Sequence, residues 1–274
     1  MSARASRYVH GTDPIEQRRL SALNDLLNET SLRRMAPQPG ERVLDVGAGL
    51  AQLTRAMARA AGVRALGIER SAEQIAEAMR QARAAGEEAL IELRAGDALA
   101  MPLAAGEWGS FDLAHARFVL EHVADPPGVV TQMVRALKPG GRLVLEDDDH
   151  DVLRLHPEPP GFSAAWRAYM RTYEVAGNDP LIGRKLVQLI HDAGARPRRN
   201  DWLFFGGSAG EERFGALVEN AARILEGARD AIVAAGGLPG AALDEAVQNL
   251  REWGKRPDAS IWFARCWAEG VKPR

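Results

Sequence analysis

Short apolar runs alternating with helical segments predict an α/β protein, with a seven-stranded, mostly parallel sheet covered by helices on both faces. Two observations carry that expectation. The strand candidates are continuous apolar stretches such as VLDV and ALGI, the pattern of strands buried on both sides. In addition, a glycine turn, Gly47-Ala48-Gly49, stands between the first strand and the helix after it.

The elements follow in order. Residues 12–36 read as a helix, with Thr12 as cap, Pro14 in the first turn, and Ile15, Leu20, Leu23, Leu26 and Leu27 at helical spacing. QPGE turns the chain into RVLDV, the first strand, and a helix runs from Ala51 to Ala61. VRALGI (63–68) is the second strand, and Ser71 with Gln74 forms a capping box for a helix reaching about Ala85. ALIELRAGD (89–97) and FDLAHA (111–116) supply strands three and four, GVVTQMVRAL (128–137) a helix, KPGG (138–141) a turn and RLVLED the fifth strand.

Beyond residue 150 the alternation changes. Segments 162–177 and 182–194 read as helices, DWLFFG (201–206) as a strand, 211–253 as helix broken at GGLPG (236–240), and SIWFARCWAEG (260–270) as the last strand. Two late strands separated by helices predict a hairpin with a helical insertion. Three segments result: an N-terminal helical extension (1–36), a ligand-binding core (37–150), and acceptor-side helices with the closing hairpin (151–274).

Composition narrows the function classes. The chain has 274 residues, 46% of them hydrophobic, with 35 Lys and Arg against 37 Asp and Glu, a formal net charge of −2. That balance gives no electrostatic reason to expect nucleic acid or an anionic membrane as partner. The basic cluster Arg196, Arg198, Arg199, interrupted by Pro197, reads as a solvated loop. The lone Cys266 excludes an internal disulfide and reads as a buried, inert thiol. No apolar signal core opens the chain and no run approaches the ~18 residues of a membrane span, so the expected protein is soluble and cytoplasmic, a monomer or homodimer.

Three acids end three neighbouring strands: Asp45, Glu69 and Asp97. They form a row on the carboxyl edge of the sheet, where open α/β sheets bind ligands. Gly47 and Gly49 let the backbone turn tightly and approach a ligand without a Cβ in the way. Gln52 stands where a dinucleotide fingerprint requires its third glycine. Asp45 suits a positively charged ligand, or a brace for the turn through backbone amides, better than a pyrophosphate. Glu69 stands where a carboxylate accepts ribose hydroxyls, and Asp97 where one accepts an adenine amino group.

The ordered set VLDVGAGLAQL, ALGIERS, RAGDALAMP, FDLAHARFVLEHVADP and LKPGGRLVLED, over roughly residues 37–150, resembles the class I S-adenosylmethionine-dependent methyltransferases, closest to the small-molecule branch called UbiE or type 11. The resemblance implies a Rossmann-like fold and S-adenosyl-L-methionine as cofactor. It implies that Gly47, Ala48 and Gly49 pass under the methionine part, Glu69 holds the ribose, and Arg70 lies beside the adenine. Asp97 and Ala98 would read the adenine edge, and Ala116 and Arg117 would approach the sulfonium region. Ala51 departs from the family's usual glycine. From such enzymes, Tyr8 and His10 are expected to fold over the site.

Methyl transfer from a sulfonium asks the protein mainly to align acceptor and methyl, with a base only where the acceptor must lose a proton. Candidate acceptor-side groups are Glu121 and His122 after the fourth strand, and Trp166, Tyr169, Met170 and Tyr173 along a helix. The dense stretch EDDDH (146–150) adds Asp147 and His150 as candidates to orient or deprotonate an acceptor. Alternation along a strand places Glu146 and Asp148 on one face and Asp147 on the other, so no metal is expected there. The acceptor is expected to be a small, partly apolar molecule methylated on O, N or C. The competing expectations are an NAD-type oxidoreductase and a cofactor-binding scaffold without turnover.

Overall fold

The computed structural model describes residues 27–274. Tyr8, His10 and most of the helix expected over 12–36 lie outside them. The described part of that helix, α1, covers 27–35.

The chain then alternates strand and helix: β1 (Val43–Val46), α2 (Gln52–Ala61), β2 (Ala65–Glu69), α3 (Ala72–Ala84), β3 (Ile91–Ala95), β4 (Phe111–Arg117), α4 (Pro126–Ala136) and β5 (Leu137–Asp147). These strands pair in parallel, with Leu44 opposite Leu66 on one side and Ala114 on the other. Ser71 accepts from the Gln74 amide at the start of α3 (3.2 Å), and Asp125 accepts from the Gly128 amide ahead of Pro126 in α4 (2.9 Å), so both helices begin on side-chain caps. KPGG is not a break before β5. The pairing of β5 with β4 jumps from Phe111–Leu137 to Leu113–Arg142, so residues 138–141 loop out as an irregularity within the strand.

The second half runs β6 (Arg154–His156), α5 (Phe162–Ala176), α6 (Leu186–Asp192), β7 (Arg196–Phe204), β8 (Gly207–Ser208), α7 (Phe214–Gly227), α8 (Arg229–Ala234), α9 (Gly240–Trp253), β9 (Ser260–Trp262) and β10 (Ala264–Val271). The main sheet has the order β3-β2-β1-β4-β5-β10-β7, with β10 antiparallel to both neighbours. The hairpin with a helical insertion thus forms as the sequence predicts. Three details differ. SIWFARCWAEG divides at Phe263, its first part joining a small second sheet, β6-β9-β8. The helical stretch also breaks at Ala228, directly after Gly227, in addition to the break expected at GGLPG. Finally, the basic cluster at 196–199 is exposed but belongs to β7 rather than a loop. Charge and proline suit this position, because β7 is the last strand of the sheet and they discourage further pairing.

The sheet is a three-layer sandwich. One face packs α4 and α6 around Val129, Met133, Leu143 and Ile190, and the other packs α2 around Met57, Val144 and the fully buried Trp267. A separate core joins α5, α7, α8 and α9 to the small sheet and to Leu27 of α1. This helical layer sits over the carboxyl edge of the main sheet and closes a cavity against it. Among the described residues no helix is long and apolar enough to cross a membrane.

Candidate functional site

A cavity of ≈ 570 Å³ joins the glycine turn to the helical layer. Of the residues singled out from sequence, Asp45, Gly47, Ala48, Gly49, Glu69, Arg70, Asp97, Ala98, Arg117, His122 and His150 line it. Ala116 and Asp147 do not.

At the sheet end, β1 delivers the chain into the turn with Gly47 at φ +72° and Gly49 at φ +53°. A Cβ on Gly47 would collide with the Val119 side chain, so the turn depends on glycine both for its backbone and for its space. Ala51 also adopts the left-handed conformation, φ +53°, which explains why glycine is common at this position and what alanine costs there. The Glu69 carboxylate accepts from the amides of Gly49 (2.9 Å), Arg70 (2.8 Å) and Ser71 (2.9 Å). Those bonds fix its oxygens at the cavity wall and leave one acceptor direction on Oε2 for a ligand hydroxyl. Asp97 is exposed at the next strand end, its Oδ1 held by the Leu99 amide (2.8 Å).

Asp45 is committed to the protein. One oxygen accepts from Thr54 Oγ1 (2.5 Å) and the other pairs with His115 Nδ1 (2.8 Å). His115 Nε2 lies 3.5 Å from Glu146, and Glu146 receives Ser31 Oγ (2.8 Å) and Arg265 Nη1 (2.8 Å). This chain of buried charges runs along the cavity floor, which Asp45, His115 and Arg265 line. Burial alone would raise the Glu146 pKa, but His115, Arg265 and Arg117 hold it down at about 2. Burial likewise works against the His115 imidazolium, yet Asp45 and Glu146 raise its pKa. Asp45 therefore ties β1 to α2 and β4 through side chains, Thr54 and His115, rather than through backbone amides of the turn. His115 and Arg265 carry no sequence motif. His115 is an inward residue on β4, and Arg265 lies in an apolar strand where only its burial reveals a role.

At the other end, Trp166, Tyr169 and Tyr173 of α5 face Glu121, His122 and His150. The helix stripe is both core and pocket wall, and Met170 packs beside that core. Trp166 Nε1 donates to the His150 carbonyl (2.8 Å), while the His150 ring meets those of Trp166, Tyr169 and Tyr173 at 5.7, 5.4 and 5.2 Å. His150 Nε2 pairs with Glu121 Oε2 at 2.8 Å, and His122 stacks on Tyr173. Burial pushes the Glu121 pKa up to about 8 and lowers that of His150. Burial and the facing Glu121 carboxyl bring Asp148 up to about 7.

Two expectations need correction. Asp147 does not reach the cavity. Its Oδ2 accepts from the Val119 (3.2 Å) and Leu120 (2.8 Å) amides and its Oδ1 from the Asp148 amide (3.2 Å), so it holds the turn after β4. Ala116 packs into the core behind the sheet edge, and Arg117 alone of that pair reaches the cavity, bonding Asn28 Oδ1 through Nη2 (2.8 Å).

The cradle suits the cofactor implied by the sequence motifs. The turn is closed to a Cβ at Gly47, and a Cβ on Gly49 would stand 3.3 Å from Gln74 Oε1. The two carboxylates at the strand ends accept hydrogen bonds, as hydroxyl and amino groups require.

Comparison with known proteins places this geometry. Residues 15–199 match the family described as "Methyltransferase domain". The ubiquinone biosynthesis O-methyltransferase of Xanthomonas oryzae pv. oryzae is 36% identical over 145 residues, 53% of this chain and 57% of that protein. The chain spans about half the length of the curated relatives it matches. Among solved structures, the cyclase SpnF shares the fold at a TM-score of 0.57 and 23% identity, covering 91% of this chain and 81% of that one. Phosphoethanolamine N-methyltransferase 2 of Haemonchus contortus, in complex with S-adenosyl-L-methionine, does so at 0.56 and 19%, covering 91% and 53%.

Proposed function

The chain belongs to the methyltransferase-domain family, and from that premise we propose that it transfers a methyl group from S-adenosyl-L-methionine to a small, partly apolar acceptor. One observation carries the reading: a single cavity runs from the glycine turn and Glu69 to the aromatic wall of Trp166, Tyr169 and Tyr173 on α5, so cofactor and acceptor share one enclosed space.

Gly47, Ala48 and Gly49 would pass beneath the methionine part, Glu69 would accept ribose hydroxyls, and Asp97 with Ala98 would meet the adenine. Arg70 flanks that end, and Arg117 lines the same cavity. S-adenosylmethionine supplies a methyl group that leaves its sulfur as the electron pair of the broken bond stays behind, giving a neutral thioether. The protein's part is alignment: the rings of Trp166, Tyr169 and Tyr173 fix the plane of an apolar acceptor, and closure by the helical layer excludes water. An acceptor hydroxyl must also lose its proton, and at that end the groups that face it are Glu121, His122, Asp148 and His150. The O-methyltransferase activity named for the Xanthomonas relative supports an oxygen acceptor.

Calorimetry on the whole chain tests the reading. S-adenosylmethionine and its demethylated product should bind with one-to-one stoichiometry, and NAD should not compete. Binding of NAD with none of either sulfur ligand would overturn it.

A further inference from the structure

Glu121, Asp148 and His150 come from three different turns. Glu121 lies in the single helical turn after β4, Asp148 just past the end of β5, and His150 in the turn that follows. They offer three ligand atoms that all lie within 4.8 Å of one another, and all three residues line the cavity. Glu121 and His150 are only 4% and 5% exposed.

The other carboxylates of this stretch are matched by the protein. Glu146 receives Arg265, Asp147 receives three backbone amides, and Asp149 takes a two-pronged bond from Arg184. Asp148 Oδ1 is buried with no hydrogen-bond partner, and so is His150 Nδ1. Neither Glu121 nor Asp148 has a lysine or arginine hydrogen-bonded to it among the described residues. Leaving a carboxylate oxygen of Asp148 and a ring nitrogen of His150 without partners in a low-dielectric pocket is costly unless a cation or ligand completes them.

We propose that Glu121, Asp148 and His150 bind one divalent first-row cation, whose remaining positions face the cavity and take an acceptor through a hydroxyl or enol oxygen. Two carboxylates with one imidazole favour manganese, iron or zinc over calcium, which is held by oxygen alone. Three protein ligands leave positions open for an outside oxygen, as catalytic sites require. Coordination favours loss of the hydroxyl proton to solvent. The resulting oxyanion then forms the new bond to the methyl carbon while the carbon–sulfur bond breaks onto sulfur. The cation site stands on these residues alone, and its use in catalysis rests on the methyl-transfer reading above.

Titration of the metal-free full chain with Mn²⁺, followed by the electron paramagnetic resonance of the free ion, tests the site. One Mn²⁺ should bind per chain, and Glu121→Gln and Asp148→Asn should each weaken it at least ten-fold. Thermal melting of the same samples provides a second measurement: Mn²⁺ should raise the wild-type melting temperature and leave that of Asp148→Asn unchanged. No binding to the wild type, or equal binding and equal melting shifts in wild type and variants, would overturn the site. S-adenosylmethionine affinity measured alongside keeps the two readings apart. Mn²⁺ binding without cofactor binding removes only the methyl-transfer reading, and cofactor binding without Mn²⁺ binding removes only the cation site.

Discussion

EDDDH shows how five adjacent residues acquire five separate surroundings. Glu146 joins the buried network with Arg265, Asp147 holds the turn after β4, Asp148 faces the cavity, Asp149 pairs with Arg184 and His150 meets Glu121. Strand alternation correctly separates Asp147 from its neighbours, because β5 continues through residue 147. The same rule stops applying at residue 148, where the strand ends and the chain bends. That bend brings Asp148 and His150 to one side of the cavity, and alternation cannot foresee it. Asp147 has a testable structural role. Asp147→Ala would leave buried amides at Val119 and Leu120 without their acceptor and should cost about 2 kcal/mol in urea unfolding. A wild-type unfolding midpoint would refute that role.

At the scale of elements, the β1–α2 turn was the most legible part of the chain, because glycine spacing directly encodes backbone shape. Its sharpest consequence concerns Gly47→Ala. The variant meets both the positive φ and the Val119 side chain, so it should unfold at least ~2 kcal/mol more easily and weaken the cofactor. Unchanged stability and affinity would show that the turn adapts. Ala51→Gly should act oppositely. Relief of the left-handed penalty, about 1–2 kcal/mol, exceeds the extra freedom gained by the unfolded chain, about 0.4–1 kcal/mol. The variant should therefore melt slightly higher, and a lower melting temperature would mean that the buried methyl contributes more by packing. The helical layer was less legible. Its helices show apolar periodicity, but α7 and α8 part at Ala228 after a lone glycine, Gly227, which a helix often tolerates. The two- and three-residue strands of the second sheet are too short to carry a pattern of their own.

Across the whole molecule, a buried line of charges, Asp45–His115–Glu146–Arg265, crosses the neighbouring strands β1, β4, β5 and β10 of the main sheet. Glu146 has a pKa depressed from 4.5 to about 2, so its contribution to stability is present above pH 4.5 and is lost as pH falls through about 2. His115 is raised above 6.5, so its contribution is complete below pH 6.5 and is lost as pH rises through the folded value. The melting-temperature gap between wild type and Glu146→Gln should therefore be widest near about pH 5.5 and shrink toward pH ~2. A gap independent of pH would remove charge as its cause. The seven-stranded sheet and the inserted hairpin were readable in advance because most of the strands are distinct apolar runs, whereas the charge line joins residues from α1, β1, β4, β5 and β10 that no local pattern connects. The central claim is that the carboxyl edge of this sheet holds S-adenosylmethionine through Glu69. Calorimetric affinity for S-adenosylmethionine in wild type and in Glu69→Ala tests it most directly. The account predicts measurable binding by the wild type and at least a ten-fold loss in the variant with its fold intact, and equal affinity in the two proteins would contradict it.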